Sequence, residues 1–300
     1  YSINAAVTND SSLFDSTSAY AGGSAIPKPV QSFSMRDDTD GVALIWKNPS
    51  VQTDGTPLND LAYILLYRVG ILFDSVTQSM SDTGQMREYY DAISGYHKYK
   101  LQVKDSETPE NTSTISDELF GHGGLLFSYD EDFESDDGGV YLTGTWYTTT
   151  QIAKSGSRSI TDSPAGNYIQ QTTTYFMLPP VVLGSEPVLE YQDIAIVRSG
   201  SFVYVEISTN GRKSFASLKT YNAFIQSKWL DGSADSGDWV KQTVDLKSYA
   251  GDTATIRFRL TAGTGATWDG WFVDDIVVRD EGVLVTANVS VNEGWNMVSV

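Results

Sequence analysis

Carboxylates carry the strongest chemical signal in this sequence. Asp130, Glu131, Asp132, Glu134, Asp136 and Asp137 crowd one short stretch, and Asp274-Asp275 interrupts an apolar run between Val273 and Ile276. Strand alternation sends successive side chains to opposite faces, so it cannot keep all of these groups in water. Calcium takes about six to eight oxygen ligands, often carboxylates and carbonyls from separate segments. One reading is therefore a structural Ca²⁺ site, with Glu134 and Asp275 as the leading side-chain ligands and Asp132 next. The other is a solubilising acidic edge that discourages strand pairing with other chains.

Aromatic rings offer a second kind of site. Sugars stack their apolar faces on exposed rings, and Trp146, Tyr147, Trp229, Trp239, Trp268 and Trp271 all fall between residues 125 and 280. Trp239 and Trp271 sit at strand starts and read as core. Trp229 and Trp268 lie in loop-like contexts, Ser227-Lys228-Trp229 and Thr267-Trp268-Asp269-Gly270, and are the candidate ligand-binding residues. Burial against a neighbouring loop is the competing reading for both.

Catalysis has little to work with. There are two histidines, His97 and His122, far apart in sequence, and no cysteine. The sequence contains no His-Glu-x-x-His zinc helix, no Gly-x-Ser-x-Gly elbow and no Walker loop. We expect no catalytic residues here and no enzyme activity; any catalytic domain of a parent protein would lie upstream. The formal charge of −18 argues against nucleic acid, which needs a basic face. No stretch is long and apolar enough for a membrane span.

The elements that must position these groups read as all-β. Val42, Leu44 and Trp46 alternate with Ala43, Ile45 and Lys47; Tyr63, Leu65 and Tyr67 repeat the pattern, as do Tyr99, Leu101 and Val103. Turn signals separate them at Asp40-Gly41, Asn48-Pro49, Asp54-Gly55 and Ser94-Gly95. Later strands are expected at 168–173, 188–194, 202–208, 239–246, 255–260 and 271–278, with Asn210-Gly211 as a tight turn. A sandwich of about a hundred residues followed by a larger two-sheet jelly roll fits this spacing.

Residues 27–121 resemble a fibronectin type III domain: Pro27-Lys28-Pro29 at the entry, Trp46 as core tryptophan, and Tyr99-x-Leu101-x-Val103 as the strand with the tyrosine corner. Residues 125–280 resemble the MAM-like, concanavalin-like jelly rolls of secreted bacterial proteins, such as the accessory domain of immune inhibitor A-type metallopeptidases. The motifs are Asp132-Phe133-Glu134, Lys154-Ser155-Gly156-Ser157, Val205 to Gly211 and Gly270 to Ile276, in that order. This resemblance supports the calcium reading.

Tyr1-Ser2-Ile3-Asn4-Ala5 matches Tyr99-Lys100-Leu101-Gln102-Val103 in pattern. Residues 1–26 are therefore expected to be the last strands of a preceding fibronectin III-like domain. Residues 281–300, with Gly294-Trp295-Asn296-Met297, resemble the first strands of a further β module of type IX-secreted surface proteins. The resulting expectation is a non-catalytic extracellular or cell-surface segment of a larger bacterial protein, serving as spacer, adhesion or assembly module. Its partners would be other domains of the parent chain, cell-surface glycans or other copies of the same chain. Alternatives are an accessory region of a secreted hydrolase, foremost a peptidase; a carbohydrate-binding jelly roll; and a filament subunit assembled by strand complementation.

Overall fold

The computed structural model describes residues 25–135 and 137–282. Apart from 25–26 and 281–282, the partial units expected at 1–26 and 281–300 lie outside the described residues, as does Asp136. The fold is all-β, and helical turns among the described residues are single 3₁₀ turns of three residues. No helix of the described residues is long and apolar enough to cross a membrane. The chain divides into two compact units. The first contains Gly41–Ala92 and His97–Gly121, and the second contains His122 onward.

Seven strands come first: β1 (Gln31–Asp37), β2 (Val42–Lys47), β3 (Leu61–Arg68), β4 (Ile71–Thr77), β5 (Met86–Asp91), β6 (Gly95–Asp105) and β7 (Leu119–Gly123). They form a three-stranded sheet, β1-β2-β5, and a four-stranded sheet, β4-β3-β6-β7. Leu44 and Trp46 of the first sheet share one core with Ile64, Leu66, Leu101 and Val103 of the second. The inward residues of β3 are thus Ile64 and Leu66. The alternate set faces outward, where Lys104 lies over the Tyr63 ring and the Tyr67 hydroxyl donates to Gln102. The buried Trp46 indole donates to Asn48 Oδ1 at 2.8 Å, which satisfies a polar atom the core would otherwise strand.

The Asp91 carboxylate ties the two sheets of this unit. Asp91, at the end of β5, accepts both oxygens' worth of bonds from Arg68 of β3 (2.7 and 3.0 Å) and a bond from the Tyr99 hydroxyl of β6 at 2.7 Å. Burial, with the adjacent carboxylate, pushes the Tyr99 hydroxyl far above the usual tyrosine range, so it stays a donor.

Twelve strands follow in the second unit. The first six are β8 (Tyr129–Glu131), β9 (Tyr141–Leu142), β10 (Tyr147–Thr149), β11 (Ser159–Thr161), β12 (Thr173–Met177) and β13 (Val181–Val182). The rest are β14 (Pro187–Ile196), β15 (Phe202–Ser208), β16 (Ala216–Tyr221), β17 (Val240–Asp245), β18 (Thr253–Thr261) and β19 (Gly270–Asp280). One sheet runs β10-β11-β19-β14-β17 with β8 also on β19; the other runs β16-β15-β18-β12-β9 with β13 also on β18. Their inner faces meet in a core that includes Leu189, Tyr191, Val205, Phe258 and Trp271. The strand expected at 168–173 is displaced to Thr173–Met177. Tyr168 is held in a loop instead: its amide donates to Trp268 O, and its hydroxyl meets Ser201 and the Arg198 amide.

Replacing Tyr99 with Phe removes a hydrogen bond to a buried charge. The variant should lose about 1–3 kcal/mol of stability in urea unfolding of the first unit. An unchanged midpoint would show that the bond to Asp91 contributes nothing.

Candidate functional site

The site begins with a break in strand pairing. Along one edge β19 pairs with β11 at Phe272 and Val273, and then with β8 from Ile276 to Val278. Asp274 and Asp275 fall between these two partners. On the other edge, Gln192 of β14 faces Asp274 while Glu190 faces Val277, so β19 carries one extra residue there. That bulge re-aims side chains. Asp275 takes it up with φ +49°, a left-handed conformation that Asp tolerates better than bulky residues do.

The segment at 154–158 fills the gap and is held from both sides by carboxylates. Asp274 is fully buried; its Oδ2 accepts the amides of Lys154 (2.7 Å) and Ser155 (3.3 Å), and its Oδ1 accepts the Asp275 amide at 2.9 Å. Asp275 Oδ1 accepts the Ser155 hydroxyl at 2.5 Å. From the exit of β8, Glu134 Oε1 accepts the amides of Ser157 (2.8 Å) and Arg158 (2.6 Å), while Oε2 accepts the Ser157 hydroxyl at 2.9 Å. Glu134 is aimed by its neighbours: Asp132 Oδ1 accepts the Glu134 amide at 3.1 Å, and Phe133 is fully buried with φ +59°. Gly156, at φ +55°, is needed for the approach, since a Cβ there would lie 2.4 Å from Glu134 Cδ.

The two sides differ electrostatically. Burial, helped by the charge of Asp275, raises the Asp274 carboxyl to about 7 despite three backbone donors. Half-buried Glu134 is held below the usual glutamate range, chiefly by the Ser157 amide and then its hydroxyl.

The structure therefore brings Glu134 and Asp275 onto one short segment, with Asp132 beside Glu134. Carboxylates from two segments, Asp132 with Glu134 and Asp274 with Asp275, accompanied by the Ser155 and Ser157 hydroxyls of a third, form an oxygen-only donor set that suits a hard cation. Their oxygens do not already converge as a tight triad. Among the described residues, the three carboxylates whose oxygens lie within 4.8 Å of one another are Asp60, Asp105 and Glu107 of the first unit. The Asn111 amide bridges two of these, at 3.0 Å to Asp105 and 3.1 Å to Glu107.

The tryptophan expectation needs correction. Trp229 is fully buried, its indole donates to Asp238 O at 2.9 Å, and its ring lies 6.1 Å from that of Tyr221. A 3₁₀ turn over Ser227–Trp229 folds the ring into the core, so it offers no face to a sugar. Trp268 is half-buried against the core, with the Arg198 guanidinium 5.8 Å from its ring centre and Gly232 beside it.

Sequence reasoning overlooked two buried carboxylates that matter to the fold, Asp162 and Asp193, and singled out Asp274 without giving it a role of its own. For Asp193 and Asp274 the signal was a charge inside an apolar strand.

No family model matches this chain. Over 168 residues it is 24% identical to Bacillopeptidase F of Bacillus subtilis (strain 168), covering 52% of this chain and 11% of that protein. The chain thus spans only about a tenth of the length of the curated relative it matches. Among solved structures, the K1 cleaved adhesin domain of Lys-gingipain from Porphyromonas gingivalis W83 is similar at 18% identity and TM-score 0.39, covering 52% of this chain and 99% of that one. A carbohydrate-binding module of the β-sandwich superfamily is similar at 18% identity and TM-score 0.34, covering 87% of this chain and all of that one (100%).

The buried Asp274 predicts a pH dependence. Its folded pKa lies above the unfolded value, so between about pH 4 and 7 the unfolded chain binds fewer protons and stability falls as pH rises. Asp274→Asn should flatten that fall in thermal melts taken across the window. An identical slope in the variant would contradict the assignment.

Proposed function

We propose that this segment is a non-catalytic extracellular accessory region of a larger secreted or cell-surface protein. In this reading a fibronectin III-type module and a MAM-like jelly roll space and attach its parts. The observation that carries the reading is a 168-residue stretch similar to about a tenth of a peptidase, together with a two-sheet unit that has a full core of its own. The three-plus-four arrangement of sheets supports the fibronectin III assignment, while the Tyr99 hydroxyl departs from a tyrosine corner by closing onto the Asp91 carboxylate instead of backbone. The purified chain should release no peptides from casein; sustained release that survives repeated purification would overturn the non-catalytic reading.

We also propose that the jelly roll takes a structural Ca²⁺ at the carboxylates around residues 154–158. Glu134 and Asp275 would hold it, with Asp132 beside them. The ion would supply positive charge among carboxylates whose shared segment is otherwise fixed by neutral donors. Binding to the native state alone stabilises by about 2.7 kcal/mol at a hundredfold excess over Kd. For a unit of this size that is about 5–10 °C in Tm. Millimolar Ca²⁺ should therefore raise Tm over EDTA, and Glu134→Gln or Asp275→Asn should abolish the rise. Equal melting in Ca²⁺ and EDTA would remove the site.

A further inference from the structure

Asp193 lies fully buried on β14, facing the core of the second unit. Its Oδ2 accepts the Trp271 indole at 3.0 Å and the Tyr221 hydroxyl; its Oδ1 accepts Gln242 Nε2 at 2.9 Å. Gln242 is itself buried, and its Oε1 accepts Lys219 Nζ. The Tyr191 hydroxyl sits 3.3 Å from that of Tyr221. An amine, a carboxamide and a carboxylate therefore follow one another in a line walled by Tyr191, Tyr221 and Trp271.

Two features set this line apart from an ordinary buried polar network. First, the lysine nitrogen is directed at a neutral carboxamide, whose carbon lies one C=O bond, about 1.23 Å, beyond the oxygen it touches. The carboxylate contacts the nitrogen of that same amide, where a leaving group would need a proton. Second, the strands involved are the edges of opposing sheets. β16 ends one sheet and β17 ends the other, and among the described residues each lacks a ladder partner on its outer side. A covalent link there would fasten the two sheets along their open margin.

The surroundings favour a neutral amine and a carboxyl that exchanges its proton near neutrality. Desolvation lowers the Lys219 ammonium below its ordinary range, and burial raises Asp193 to about 6. A desolvated lysine beside a proton carrier is an activated nucleophile, and fixed juxtaposition supplies the effective concentration that amide exchange in water lacks.

We propose that Lys219 and Gln242 become joined by an intramolecular isopeptide bond, with Asp193 carrying the proton. The neutral Nζ attacks Gln242 Cδ and a new C–N bond forms. The Cδ–Nε2 bond then breaks. Asp193 takes the proton lost by Nζ and delivers it to Nε2, which departs as ammonia. No oxidant, metal or second substrate enters the balance. The product closes a loop between positions 23 apart in sequence.

The test is the mass of the denatured, otherwise intact chain. Formation of the bond removes one ammonia, about 17 Da. The wild-type chain should weigh that much less than its sequence, and tryptic digestion should yield a branched peptide joining the Lys219 and Gln242 segments. Lys219→Arg keeps the positive charge and a donor to Gln242 but should restore the full mass, as should Gln242→Ala. Asp193→Asn should slow or abolish the loss, and the wild-type mass decides the matter even if that variant fails to fold. A wild-type chain of full sequence mass, or a loss mapped to a succinimide at Asn210-Gly211, would overturn the proposal.

Discussion

Three carboxylates are buried against one strand, β19, and the second unit is organised around keeping them satisfied. Asp162 accepts the Trp271 amide at 2.7 Å, Asp193 accepts the Trp271 indole, and Asp274 belongs to the strand itself. Burying a charge costs several kcal/mol unless hydrogen bonds replace water. Each group has such bonds, yet burial still raises Asp162 and Asp274 to about 7 and Asp193 to about 6. The requirement reaches into the backbone. Gly270 enters β19 with φ +93°, and a Cβ there would lie 2.6 Å from Asp162 Oδ1.

This constraint explains why β19 can change partners midway. An uninterrupted ladder would satisfy the backbone of β19 along its whole edge, but its neighbour changes from β11 to β8 at Asp274-Asp275. The carboxylates replace the missing strand as acceptors for the amides of Lys154, Ser155, Ser157 and Arg158. A sheet edge is thereby closed by side chains. The same groups gather negative charge at a place where a cation could strengthen the closure. On the far side of the strand, Trp271 connects that edge to the Asp193 line and so to the margin where β16 and β17 face each other.

Much of the fold was legible because period-two patterns are strong. Val42 to Trp46, Tyr99 to Val103 and Phe202 to Ser208 all lie in strands. The reading of β3 was blurred because both of its faces are apolar, and only packing selects Ile64 and Leu66 as the inner pair. Glu134 and Asp275 could be named together because the first and last strands of a jelly roll commonly lie near each other, and both hold the segment at 154–158. The role of Asp274 was not legible, since adjacent carboxylates look equivalent until a bulge sends one inward. Trp229 misled for a related reason: its loop-like sequence forms a 3₁₀ turn that buries the ring. The Lys219–Gln242–Asp193 line joins three strands and left no local trace.

The central claim is that Asp162, Asp193 and Asp274 are buried titratable groups organised by β19. A carboxyl ¹³C NMR titration of aspartate-labelled protein, with Asn variants to assign the three signals, tests it most directly. The account predicts midpoints of about 7 for Asp162, about 6 for Asp193 and about 7 for Asp274, well apart from the bulk of the aspartates. Midpoints near 4 for all three would mean that these carboxylates remain in contact with water, and would contradict it.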